Sequence, residues 1–160
     1  MGDWLAAMAG LTFAELENVQ AVGIDLFLAT AVVQVVVSAA ISALRLRTSM
    51  IASRHGDPAA VATASALHIE TIKFEREFNR VNRRLIGFIG LLLVIAVAGL
   101  ALSTIWQHRV AGVAGTLAVM GFYLVLPIAI ITAAMARAWG PFHRIDTAVR
   151  AVERTANDDS

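Results

Sequence analysis

The chain has 160 residues, of which 58% are hydrophobic and 16% charged, and its mean hydropathy is +0.72. Soluble domains carry about 25% charged residues, so the apolar blocks here are suited to a bilayer rather than to a buried core. Net charge is +1 and there is no cysteine, which excludes a global field for nucleic acid, disulfides, thiolate nucleophiles and Cys-based metal sites.

In chain order, the N-terminus Met1-Gly2-Asp3-Trp4 lacks the basic region of a signal peptide and is expected to be retained. Thr12-Phe13-Ala14-Glu15 reads as a capping box, predicting a helix that starts near Phe13, lies at the outer interface and runs toward the first span. A hydrocarbon core of about 30 Å needs roughly 20 apolar residues of helix. Three stretches qualify: 22–44, 85–106 and 110–136. Each must be helical in lipid, because an unpaired backbone group there costs several kcal/mol.

Between the first two spans, Gly56-Asp57-Pro58 reads as a break, an N-cap and a first-turn proline. From there Leu67, Phe74, Phe78, Val81, Leu85, Phe88 and Leu92, with Thr71 filling the gap, form a coiled-coil-like seam that runs into the second span. From Leu67 to Trp106 that helix would be about 60 Å long, with about 25–30 Å outside the bilayer. Gly140-Pro141 is expected to end the third helix. Phe142, Ile145, Val149 and Val152 then start a separate amphipathic one, and Asn157-Asp158-Asp159-Ser160 is expected to be disordered.

Residues 1–25 hold four acids and no Lys or Arg, whereas 45–84 hold Arg45, Arg47, Arg54, Lys73, Arg76, Arg80, Arg83 and Arg84. The tail adds Arg137, Arg144, Arg150 and Arg154. The positive-inside rule then places the N-terminus outside, with the connection 45–84 and the tail 137–160 in the cytoplasm. Trp106 and Trp139 fall at opposite ends of the bundle, as interfacial indoles do. The expected architecture is all-α: one membrane domain over 1–160, with three spanning helices in a plasma membrane.

Thr30, Gln34, Ser38 and Ser42 are spaced four apart and share one face of the first span, which Asp25 loosely extends. Such a face either lines a pore or packs against another helix, and packing is the commoner use. Arg45, Arg47, Arg80, Arg83 and Arg84 flank the spans and suit anionic headgroups. Alternatively, the stripe from Lys73 to Arg84 pairs with Glu70 and Glu77 on its own helix. Pro127 is expected to kink the third span, and Gly99/Ser103 and Ala111/Gly115 to allow close helix packing. His55, His68, His108 and His143 are scattered outside the spans, and no nucleotide, nucleophile-elbow or zinc-protease motif occurs. No catalytic residue, metal or cofactor is therefore expected.

Leu44-Arg45-Leu46-Arg47, closing the first span, and Phe78-Asn79-Arg80-Val81-Asn82-Arg83-Arg84-Leu85-Ile86, entering the second, carry a family resemblance. In layout, residues 25–137 resemble a family of short three-helix bacterial inner-membrane proteins known only as a domain of unknown function. The resemblance implies the N-out topology and a bacterial inner membrane, and brings no activity or site residues. The plan is also similar to motor stator subunits, through Gly121-Phe122-Tyr123-Leu124-Val125-Leu126-Pro127, and to phage holins. The functional expectation is a non-enzymatic membrane protein acting through helix association, as a homo-oligomer or accessory subunit. An ion channel or stator lined by the first span is the alternative, and a holin the weaker one.

Overall fold

A computed structural model describes residues 8, 10–54 and 58–158. The fold is all-helical: α1 (Phe13–Arg54), α2 (Pro58–Ile105), α3 (Gly112–Met120), a π segment (Gly121–Val125) and α4 (Leu126–Asp158). Stretches of three helices, Phe13–Ile51, Val61–Ile105 and Gly112–Arg154, are long and apolar enough to cross a membrane. Their surface agrees with that use. Val32, Val35, Val36, Leu91, Val94 and Val97 face outward, while Thr30, Gln34, Ser103 and Thr116 are buried. Lipid is as apolar as leucine, so spanning helices meet through small and polar residues and leave their aliphatic ones outside.

Contacts group the chain into two compact units. The first, 1–33 with 86–133, contains the turn 106–111 between α2 and α3. Here the chain reverses with Gly112 at φ +68°, a conformation that glycine adopts without steric cost. The start of α1 is fastened to this turn. Phe13 N–H donates to the Arg109 carbonyl at 3.2 Å, Ala111 N–H donates to the Leu11 carbonyl at 2.9 Å, and the Phe13 and Trp106 rings lie 6.5 Å apart. The half of the capping box made by the carboxylate forms, with Thr12 N–H donating to Glu15 Oε2 at 2.8 Å and the Thr12 hydroxyl donating to the same oxygen at 3.0 Å. These bonds hold the Glu15 carboxyl below its ordinary pKa.

The second unit, 34–85 with 134–160, is built around Leu44, Ile145 and Val149, with Ile51, Phe74 and Phe142 packed against them. This core corrects one expectation. Pro141 lies inside α4, which continues to Asp158 rather than ending at Gly140-Pro141. A proline removes a single backbone bond, whereas burial of Phe142, Ile145 and Val149 on α1 and α2 rewards continued helix. Asn157 and Asp158 belong to the same helix, and 159–160 lie outside the described residues.

Other boundaries also shift. No break separates the capping box from the first span, so the interfacial helix expected there is the opening of α1 itself. Pro58 is the first residue of α2, while Gly56 and Asp57 lie outside the described residues. Trp106 and Val110 stand in the turn rather than in the spans. At Pro127 the third span carries a π segment, in which Leu126 N–H donates to the Gly121 carbonyl, five residues back. The wider π turn precedes the proline ring, and Pro127 itself is buried.

Candidate functional site

The densest polar arrangement in the second unit lies between α1 and the first half of α2. The two helices run antiparallel there, and their polar residues meet rung by rung. Asn82 Nδ2 donates to the Gln34 carbonyl at 3.4 Å, and Ser38 Oγ donates to Asn79 Oδ1 at 2.9 Å. Ser42 Oγ donates to one oxygen of Glu75 at 2.9 Å, and Arg45 binds the other at 2.9 Å. Thr48 spends its one hydroxyl proton on the Arg45 carbonyl at 2.8 Å and so accepts from His68 Nδ1, 3.0 Å away.

Glu75 is the centre of this ladder. Its residue is only 8% exposed, and burial raises a carboxyl pKa. The hydrogen bonds from Arg45 and Ser42 and the charge of Arg45 outweigh that, and the pKa lies below the ordinary value. The acid is therefore ionised near neutrality and serves as a fixed acceptor rather than a proton donor. Beside it opens a groove of about 470 Å³ lined by Ser42, Arg45, Leu46, Ser49, His68, Ile72 and Glu75. Among the described residues, no group of three or more His, Cys, Asp or Glu could hold a metal ion.

The face singled out on α1 divides. Gln34 is 2% exposed, and Thr30 is buried with its hydroxyl bonded to the Leu26 carbonyl of its own helix. Ser38 and Ser42 belong to the ladder, while Asp25 is exposed. The basic residues divide too. Arg45 is held by Glu75, and Arg47 by Asp146 at 3.5 Å and Glu153 at 2.8 Å. Arg80, Arg83 and Arg84 stay exposed on α2. Glu70 and Glu77 do not pair along their own helix as sequence spacing suggests. They take Arg144 at 2.7 Å and Arg137 at 3.7 Å from α4.

The seam is displaced from the reading given by apolar residues alone. Leu67, Phe74, Phe78 and Val81 are half-buried, with Phe74 in the core beside Leu44, but Phe88 is 49% exposed. The most buried edge of α2 is instead Thr71, Glu75, Asn82, Ile89, Leu92, Ala96 and Ser103. The roles of Glu75, Asn79, Asn82, Thr48 and His68 in pairing α1 with α2 are not expected from the sequence reading. Their signal was a polar 3-4 repeat at 68, 71, 75, 79 and 82, spaced to match 34, 38, 42, 45 and 48 on α1.

The first unit has its own constriction around Tyr123, in the π segment. Tyr123 Oη donates to the Ala96 carbonyl of α2 at 2.6 Å. Gly23 of α1 lies so close that any Cβ there would strike Tyr123 Cβ and sit 2.6 Å from its carbonyl oxygen. A Cβ on Gly99 would sit 2.6 Å from Tyr123 Oη. Phe122 meets Phe27 at 5.6 Å, and Ser103 Oγ donates to Gln20 Oε1 at 2.6 Å. Gly99/Ser103 is thus a close-packing pair within the chain, while the Cβ that Gly115 lacks would meet only Ala111.

No protein-family model, curated protein or solved structure matches the chain.

Proposed function

We propose that this is a non-enzymatic membrane module that works through helix association, as a homo-oligomer or as an accessory subunit of a larger membrane complex. The observation that carries the reading is the ladder. Of the α1 groups that would line a conduit, Ser38 and Ser42 bond α2 side chains, the Gln34 backbone carbonyl accepts from Asn82 and the Thr30 hydroxyl is satisfied on its own helix. This supports the stripe as helix–helix adhesive. Apolar side chains exposed beyond the apolar spans, Leu46, Ile69 and Trp139 among them, supply surface for a partner.

The charge asymmetry of the sequence supports a topology with the N-terminus outside and the connection 45–84 and the tail in the cytoplasm, and the family resemblance suggests a bacterial inner membrane. No cofactor or nucleic acid enters this reading.

The test is the mass of the particle extracted from native membranes into mild detergent or nanodiscs. Association requires a multiple of the 17.0 kDa chain or a stoichiometric companion protein. A solitary chain under every extraction condition would refute it.

A further inference from the structure

Every acid of α2 is taken by another helix. Glu70 is paired with Arg144, Glu75 with Arg45 and Glu77 with Arg137. The cations of the same helix are left over. Lys73, Arg76, Arg80, Arg83 and Arg84 are all exposed, and among the described residues none of them has an ion pair or a side-chain hydrogen bond.

At 100° per residue these five fall within a sector about 100° wide, on the side of α2 turned away from Phe74 and Val81. They climb about 16 Å of helix, and Arg80, Arg83 and Arg84 lie within about 8 Å along the axis of Leu85, where the second span begins. Five like charges on one helical face repel one another, and among the described residues no acid is paired with any of them. The topological role of cationic residues explains their side of the membrane but not why the neighbouring acids are withdrawn from them.

We propose that this stripe is a docking surface for the headgroups of anionic phospholipids in the bilayer that the chain occupies, with Arg80, Arg83 and Arg84 as its main contacts. A guanidinium meets a phosphodiester through two parallel N–H···O bonds, and a second span that begins at Leu85 puts these three at the depth of the phosphates. Arg45 and Arg47 are not part of the surface, since their charges are neutralised within the fold. The inference is independent of the associative reading above, and a solitary chain would bind such lipids equally.

The test uses the full chain in nanodiscs of phosphatidylcholine alone or of phosphatidylcholine with phosphatidylglycerol. Lipid retention is read by native mass spectrometry and affinity by titration with fluorescent phosphatidylglycerol. Wild type should retain phosphatidylglycerol preferentially, and the preference should fall in high salt. The triple variant Arg80→Gln/Arg83→Gln/Arg84→Gln should weaken binding about a hundredfold, given about 1 kcal/mol per basic residue near the surface and about 1.4 kcal/mol per tenfold. The triple Arg→Lys variant keeps the charge and should retain most of the affinity. Removing two cations that are already paired, Arg144 with Glu70 and Arg150 with Asp146, in Arg144→Gln/Arg150→Gln should leave it near wild type. The proposal is overturned if wild type shows no preference for phosphatidylglycerol. It is equally overturned if the glutamine triple binds like wild type, or if the Arg144/Arg150 control loses as much as the triple.

Discussion

Tyr123 is wedged between two glycines, and the two contacts differ in kind. At Gly23 an added Cβ would strike the Cβ and the backbone carbonyl of Tyr123, neither of which can turn aside. Carbon and oxygen normally stay about 3.2 Å apart or more, so α1 and the π segment would have to separate by over half an ångström, which in a close-packed site costs about 1–3 kcal/mol or more. At Gly99 the obstacle is only the Tyr123 hydroxyl at 2.6 Å, with the ring carbon behind it at 3.7 Å. Gly99→Ala should therefore displace that hydroxyl from the Ala96 carbonyl, while Tyr123→Phe alone should lose one hydrogen bond, about 0.6 kcal/mol on average in membranes. Combined, the two should cost less than their sum, because phenylalanine removes the atom that alanine strikes; the coupling should lie in the range of about 0.5–3 kcal/mol. Tyr123→Phe should not relieve Gly23→Ala. Unfolding equilibria in detergent or bicelles, run on the single and double variants, measure both cycles. Additivity at Gly99, or relief at Gly23, would refute the geometry.

Glu75→Gln should destabilise the second unit by about 1–2 kcal/mol, a hydrogen-bonded charge tempered by the half-exposed Arg45. Hydrogen exchange across 60–80 reads it. Because the folded pKa of Glu75 is depressed, its contribution is full above about pH 4.5 and is lost as pH falls through the folded value; the Gln variant should lack that acid-dependent loss. Ile145→Ala, at a site 1% exposed, should cost about 2–5 kcal/mol and loosen 134–158 in limited proteolysis, and wild-type behaviour would contradict the continuous α4. A reporter after Ser160 or near Gly56 should read as cytoplasmic and one at His108 as external; a periplasmic signal at Gly56 would reverse the proposed topology.

The membrane-spanning character was legible because the bilayer imposes a length and composition that few other environments demand. The capping box was legible because its two partners are three residues apart. What stayed hidden depended on pairing between distant residues. Glu70 and Glu77 have basic neighbours on their own helix, and only the approach of α4 decides that Arg144 and Arg137 win them. Reading the seam from apolar residues placed Phe88 inside, a rule borrowed from water. Phe88 falls in a stretch that suits lipid, where an aromatic ring gains little by leaving the surface. Thr71, Glu75 and Asn82, outside that stretch, take the interior because they find hydrogen-bond partners there. Pro141 misled for a related reason, since the signal for a helix end is local and the packing of Ile145 and Val149 that overrides it is not.

The pivotal point is whether the polar face of α1 holds helices together or conducts. Ion flux through vesicles containing the purified chain measures this most directly, with Gln34→Leu and Ser38→Ala as companions. If the ladder is adhesive, wild-type vesicles stay at background permeability. Ser38→Ala, which loses the bond to Asn79, weakens folding by about 0.6 kcal/mol and no more than about 2, while Gln34→Leu keeps the backbone carbonyl that accepts from Asn82. Cation currents in wild type that vanish in Gln34→Leu while the protein remains folded would contradict it.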